Sequence, residues 1–285
     1  MATTRIALYI GNELYPTGGT VPQSAINTLQ SSPLTSPILS LLNCDSKNNT
    51  LVYNDSINPM FDNTGKYIGA NGWAATIKAL RSTTIREVYM SFSTTGTDWL
   101  AGLLNTNKAA GMNILNCLKN TFGLDGIDID YEGDTSSSSN MYPVAAAAVS
   151  AGLKITAAPY WNPGDWRAWV NYIKNKGGTV SWLNLQCYAG GKSNNPGDWN
   201  YIGVPIVAGS CNSCGGPQTT CSPQDMETLF TLWRTGKGTV SQQCWSGTPN
   251  TKPQSIGGGF IWVYSAIKGT KFLPYMNAMK KGLGM

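Results

Sequence analysis

The stretch of the chain richest in potential chemistry is Leu124-Asp125-Gly126-Ile127-Asp128-Ile129-Asp130-Tyr131-Glu132. In extended backbone successive side chains alternate between faces, so Asp128, Asp130 and Glu132 share one face while Ile127, Ile129 and Tyr131 share the other. Carboxyls two residues apart on a strand lie only about 6 to 7 Å apart, and like charges at that spacing oppose full ionisation. A merely structural strand has no use for such a row. Coupled titration is expected: the inner aspartates share a proton, and the outermost carboxyl, Glu132, stays partly protonated near neutral pH as a general acid. The chain contains no histidine. Ser-His-Asp and Cys-His nucleophile systems and histidine-ligated zinc are therefore excluded, and acid/base chemistry falls to carboxylates.

Other chemistries fit the same residues less well. Asp128-x-Asp130-x-Glu132-Gly133 resembles the opening of a calcium loop, but Ser139 stands where the bidentate Glu should be, and the intervening isoleucines belong in a strand. No metal is expected. Ala189-Gly190-Gly191-Lys192-Ser193 ends like a phosphate-binding loop, yet Gln186 occupies the place of its first glycine and no helix signal follows Ser193. Neither nucleotide nor any other cofactor is expected. Seven cysteines are present, of which Cys211, Cys214, Cys221 and Cys244 crowd into one segment rich in Gly, Pro, Ser and Thr. A single CxxC without a second is a weak zinc signal, so a disulfide-stapled loop is favoured over free thiols and over a metal site.

The acid row needs a scaffold, and the rest of the chain supplies one. Eight short β-rich runs recur: Arg5 to Ile10, Pro37 to Asn43, Val88 to Ser93, Gly126 to Tyr131, Lys154 to Ala158, Trp182 to Tyr188, Gly203 to Val207 and Gly259 to Tyr264. Helical patterns fall between them at Asn71 to Arg81, Lys108 to Lys119, Met141 to Ala151, Asp165 to Lys174, Ser222 to Arg234 and Lys271 to Lys280. Alternation of this kind predicts a parallel sheet with crossover helices, and eight repeats predict an α/β fold of the (β/α)8 TIM-barrel type. A single domain spanning residues 1–285 is expected, with loop insertions near 45–65 and 209–221, the first carrying a small hairpin around Leu51 to Tyr53. In a barrel the isoleucines pack outward against helices and the acids point inward at the C-terminal mouth. The pentapeptide Asn-Pro-Gly-Asp-Trp occurs twice, ending at Trp166 and Trp199. Shared turn and cap chemistry suffices to explain it, and a ligand contact for at least one of these tryptophans is the functional alternative.

Asp125-Gly126-x-Asp128-x-Asp130-x-Glu132 matches the DGxDxDxE signature, and the chain strongly resembles glycoside hydrolase family 18, the chitinase family. The resemblance extends to the first strand, to Ala157-Ala158-Pro159, to Gln186-x-Tyr188 and to Gly258-Gly259-Phe260-Ile261-Trp262. It implies hydrolysis of β-1,4 linkages between N-acetylglucosamine units by a retaining mechanism in which the substrate's own acetamido oxygen is the nucleophile, a known exception to the two-carboxylate scheme. Glu132 would be the general acid and then base, Asp130 would orient the acetamido group, Asp128 would hold Asp130, and Tyr188 would hydrogen-bond the acetamido oxygen. Trp262 would be the apolar floor under the sugar, with Gln186 and Tyr9 as further substrate contacts. The family's third-strand SxGG pattern is here Ser91-Phe92-Ser93-Thr94, and Ala189 follows Tyr188 where many relatives carry an acid or amide.

Aromatic planes suit the C–H faces of sugars. Ten tryptophans are present, and Trp99, Trp161, Trp166, Trp199 and Trp245 are candidates for the cleft as well as for the core. The expected partner is an oligo- or polysaccharide containing N-acetylglucosamine: chitin first, the chitobiose core of N-glycans second, and binding without turnover third. The net charge of +5 is scattered, which disfavours nucleic acid. No apolar run reaches the roughly 18 to 20 residues that span a bilayer. A soluble, extracellular monomer with its export leader already absent is the expectation.

Overall fold

The structure is a computed structural model, and it describes residues 4–16, 19–54, 58–212, 214 and 221–285. Ten strands are present among these: β1 (Arg5–Ile10), β2 (Ser36–Asp45), β3 (Thr50–Tyr53), β4 (Asn58–Phe61), β5 (Tyr89–Ser93), β6 (Gly126–Asp130), β7 (Lys154–Ala157), β8 (Val180–Gln186), β9 (Ile206–Cys211) and β10 (Gly258–Trp262). Eight of them are parallel and run β1-β2-β5-β6-β7-β8-β9-β10, with β10 pairing back onto β1 to close the cylinder. This is a TIM barrel in a single domain, as the alternation predicted. The other two, β3 and β4, form an antiparallel hairpin on the extension of β2.

Alternation along each strand builds two separate cores. On β1, Ile6, Leu8 and Ile10 pack between sheet and helices, while Ala7 and Tyr9 join the barrel interior with Ile38, Tyr89, Trp182, Val207 and Phe260. On β6, Ile127 and Ile129 go to the outer core, with Tyr131 just beyond the strand end.

The helices are α1 (Gln23–Gln30), α2 (Trp73–Ala79), α3 (Thr94–Thr106), α4 (Lys108–Asn116), α5 (Met141–Ser150), α6 (Pro163–Asn175), α7 (Pro223–Thr235), α8 (Tyr264–Ile267) and α9 (Phe272–Gly282). At α7 a full capping box is present, since Ser222 accepts from the Asp225 N–H and the Asp225 side chain accepts in return. The sequence reading missed α1 and α3, whose Gln-, Thr- and Gly-rich turns have poor helical propensity. Tertiary structure overrides that in α3: Ser93 caps it, and Gly96 lies so close to β2 that a Cβ there would collide with the Leu42 carbonyl.

Two further expectations need correcting. The seventh parallel strand begins at Ile206 and runs to Cys211, later than predicted, because Gly203 adopts φ +83° and Pro205 has no N–H to give a ladder. The sixth ends at Gln186, so Tyr188 stands just past it, and the crossover that follows holds only 3-10 turns. Trp166 and Trp199 are both buried, Trp166 edge-on against Trp169, which fits the local turn-and-cap reading of the repeat rather than the ligand-contact alternative.

Disulfides join Cys211 to Cys214 and Cys221 to Cys244, leaving Cys44, Cys117 and Cys187 free. Most of the expected 209–221 insertion lies outside the described residues.

Candidate active site

Asp128 sits midway along β6 with Ser91 of β5 and Thr156 of β7 as its ladder neighbours. Its side chain is completely buried. An ionised carboxylate in such a place is unfavourable by several kcal/mol unless its oxygens are satisfied. Here they are: Oδ2 accepts from Tyr9 Oη (2.9 Å) and Ser91 Oγ (2.7 Å), and Oδ1 accepts from Thr156 Oγ1 (2.7 Å) and Asn184 Nδ2 (3.1 Å). Trp182 Nε1 donates to Asn184 Oδ1 at 2.8 Å, fixing which end of that amide meets the carboxylate. Burial pushes Asp128 above the ordinary carboxylate range, and its hydrogen bonds oppose the rise. With hydrogens directed at both oxygens, Asp128 is a poor cation ligand.

Asp130, at the C-terminal end of β6, is placed differently. Among the described residues it accepts only from Gln186 Nε2, at 3.1 Å. Burial, and then the charges of Asp128 and Glu132, push its carboxyl well above the ordinary range. The proton anticipated for the aspartate pair therefore belongs on Asp130, the member with fewer donors. Glu132 lies beyond the strand end and is exposed to solvent, its backbone N–H held by Thr94 Oγ1 at 2.8 Å.

Gln186 ties these groups together. Its Nε2 also donates to the Ala158 carbonyl at 2.9 Å and reaches Glu132 Oε1 at 3.5 Å, so it spans the gap between the two outer acids. Gln186 and Tyr9 were expected as substrate contacts. Both are buried, with Tyr9 Oη and Gln186 Nε2 directed at the carboxylates. Tyr188 is buried to 9% exposure, and burial followed by the charge of Asp130 raises its hydroxyl, which keeps it a neutral donor.

Phe260 contacts both tyrosines, with centroid distances of 5.4 Å to Tyr9 and 6.0 Å to Tyr188. Trp262, at the end of β10, packs on Tyr9 at 5.1 Å and is only partly covered. It also walls a cleft of about 490 Å³ at the C-terminal ends of β1, β2 and β10. Of the other candidate tryptophans, Trp161 is exposed at 43%, Trp245 is buried, and Trp99 donates to Asn49 Oδ1.

Sequence reasoning missed Thr156, Asn184 and Trp182 and gave Ser91 no role. The signal was inward-facing polar residues on strands flanking the acids, which becomes readable only once strand order and register are known. The assembled mouth has an exposed acid at its rim, a carboxyl of raised pKa beneath it, a phenol donor and a partly open indole face.

No protein-family model matches the chain. No curated protein matches it either. Solved structures do. A GH18 chitinase from Pseudoalteromonas aurantia is 18% identical with a TM-score of 0.64, over 98% of this chain and 100% of that one. A chitinase from Aspergillus fumigatus is 17% identical with a TM-score of 0.63, over 99% of both chains. The catalytic domain of a hyperthermophilic chitinase from Pyrococcus furiosus is 10% identical with a TM-score of 0.57, over 100% of this chain and 96% of that one. At these identities the likeness is one of fold, and it extends over the whole chain.

Proposed function

We propose that the chain is a family 18 glycoside hydrolase that cleaves β-1,4 linkages between N-acetylglucosamine units with retention of configuration. The observation that carries this reading is the graded acid row on β6, in a barrel of chitinase fold: Asp128 buried and held by four donors, Asp130 half-buried, Glu132 exposed at the mouth.

Glu132 donates its proton to the glycosidic oxygen as the bond to the anomeric carbon breaks, and the acetamido carbonyl oxygen of the same sugar attacks that carbon. The result is a cyclic oxazolinium ion and a free sugar hydroxyl on the departing chain. A protonated Asp130 keeps one carbonyl oxygen able to accept the acetamido N–H, which turns the acetamido oxygen toward the carbon. Tyr188 donates to the acetamido oxygen, and Trp262 supports the ring from below. Glu132, now a carboxylate, then takes a proton from the water that opens the oxazolinium. No enzyme nucleophile is needed, which suits a site whose innermost carboxylate is already fully engaged.

Among the described residues no helix is long and apolar enough to cross a membrane, and the disulfides are consistent with export. Incubation with chitin oligomers, followed by mass spectrometry and by NMR of the first-formed anomer, tests the reading. Shorter β-anomeric products are expected. Release of N-glycans with chitin oligomers untouched would shift it to the chitobiose core, and tight binding without cleavage would make the protein a lectin.

A further inference from the structure

Trp262 stands between two neighbours of different kinds. On the β1 side it packs on Tyr9, which is itself fixed by its hydrogen bond to Asp128. On the β9 side its ladder partner is Cys211, the last residue of that strand. Alternation turns every second residue of β9 into the barrel. Val207 and Cys211 accordingly join the inner cluster with Tyr9, Tyr188 and Phe260, while Gly209 leaves room for Phe260, since a Cβ there would collide with that ring. Cys211 is thus the next inward side chain above Phe260, in the layer of Trp262. Cys214 and Trp262 both pack on the rim of this cluster.

Cys211 is buried and bonded to Cys214, which is 3 residues further on and only half-buried. A bridge that closes so short a loop removes little freedom from the unfolded chain. Its effect on overall stability is therefore small beside that of Cys221–Cys244, whose partners are 23 residues apart. The two bridges also differ in access, because Cys221 and Cys244 are both buried. β9 ends at Cys211, so beyond that point the covalent bridge, rather than a ladder, fixes the wall beside Trp262.

We infer that the Cys211–Cys214 bridge is a redox-controlled positioning element of the catalytic mouth. Closed, it holds Trp262 where the indole supports the sugar; opened by a dithiol, it releases that wall and turnover falls. The step is a thiol–disulfide exchange. A thiolate of the dithiol attacks Cys214 Sγ, the more accessible sulfur, forming a mixed disulfide and expelling Cys211 as a thiolate. The second sulfur of the dithiol then displaces Cys214. The dithiol gives up two electrons and two protons and leaves as a cyclic disulfide, and both cysteines end as thiols. The inference rests on the reading of the barrel as a chitin-cleaving site. Its consequence is a mouth that is incomplete in reducing surroundings and completed where disulfides form, which suits a hydrolase that acts after export.

The test assays the full chain on chitin oligomers as the oxidised protein, after native treatment with dithiothreitol, and after reoxidation, with an aliquot of each alkylated and peptide-mapped. Gentle reduction is expected to open Cys211–Cys214 while Cys221–Cys244 stays closed. In that state kcat/KM should fall about tenfold, in keeping with the sensitivity of reaction rates to small misplacements of a bound substrate. The melting temperature should change little, and reoxidation should restore the rate. Cys214→Ser should match the reduced protein and ignore dithiothreitol; the reduction of wild type decides the matter even if that variant does not fold. Trp262→Ala should remove most of the response, because the bridge acts through that indole. Unchanged kinetics with the bridge open, a full response in Trp262→Ala, or a bridge that opens only when the protein unfolds would overturn the inference while leaving the chitin reading in place. Oxidised protein that leaves the oligomers uncleaved would overturn the chitin reading and this inference with it.

Discussion

Ser91 and Thr156 flank Asp128 from the two neighbouring strands and donate to opposite oxygens of its carboxylate, each at 2.7 Å. The acid row is thus anchored at its buried end by ladder register, and flanking side chains that never reach the mouth hold it there. Thr156→Val keeps the shape and removes the hydroxyl, leaving Oδ1 with Asn184 alone. A loss of about 1 to 3 kcal/mol is expected, the usual effect of removing a donor from a buried charged acceptor. The urea midpoint at neutral pH measures it, and an unchanged midpoint would show that Asn184 suffices.

Asp130 makes stability depend on pH in a direction opposite to that of a salt-bridged carboxylate. Its folded pKa lies above the ordinary value of 3.8, so the native state holds a proton that the unfolded chain releases. Its stabilising contribution is complete below that ordinary value and is lost as pH rises through the raised one. Asp130→Asn, which mimics the neutral acid, should match wild type near about pH 4 and exceed it in stability near about pH 8. Denaturation series at both pH values, read as the difference between the two proteins, decide it; a variant less stable than wild type at the higher pH would contradict the assignment.

Much of this arrangement was readable in the sequence because its signals are local. The limits of β1, Arg5 to Ile10, follow from a short apolar β-rich run, and the grouping of Asp128, Asp130 and Glu132 on one face follows from alternation. What a side chain meets across the barrel is not local. Tyr9 and Asp128 are 119 residues apart, and only closure of the cylinder brings the phenol to the acid as a support. The same holds for Gln186, whose spacing from Tyr188 was visible while its span from Asp130 to Glu132 was not. The repeat itself was legible as a local helix-start signal, with Asn162 and Asn195 rather than the aspartates standing at the caps, but which way each start delivers its indole depends on the helix or 3-10 turn that follows.

The cysteine pairing is expected to be selective. Cys211–Cys214 and Cys221–Cys244 should survive denaturation without reductant, leaving Cys44, Cys117 and Cys187 as the alkylatable thiols. Intact-mass measurement should count three labels before reduction and seven after it. Peptide mapping would then locate the bridges, and label on Cys221 or Cys244 in the unreduced protein would remove the longer one.

The roles proposed for Glu132 and Tyr188 separate in kinetics because they act on different atoms. Glu132→Gln keeps the side-chain shape and removes the transferable proton, so kcat should fall by about 10² to 10⁴ while oligomers still bind. Tyr188→Phe removes a donor needed most as charge gathers on the acetamido oxygen, so its loss should lie in kcat with KM little changed. A thiazoline analogue of the cyclised sugar probes the same charge directly. Wild type should bind it far more tightly than N-acetylglucosamine, because a site complementary to the oxazolinium favours the cyclic form over the open acetamide. Tyr188→Phe should erase much of that preference, whereas Glu132→Gln should spare more of it, since the analogue carries no leaving group for Glu132 to protonate. If the analogue binds no better than the parent sugar, or the first product is the α-anomer, cyclisation by the acetamido group is not the route, even if Glu132 proves indispensable.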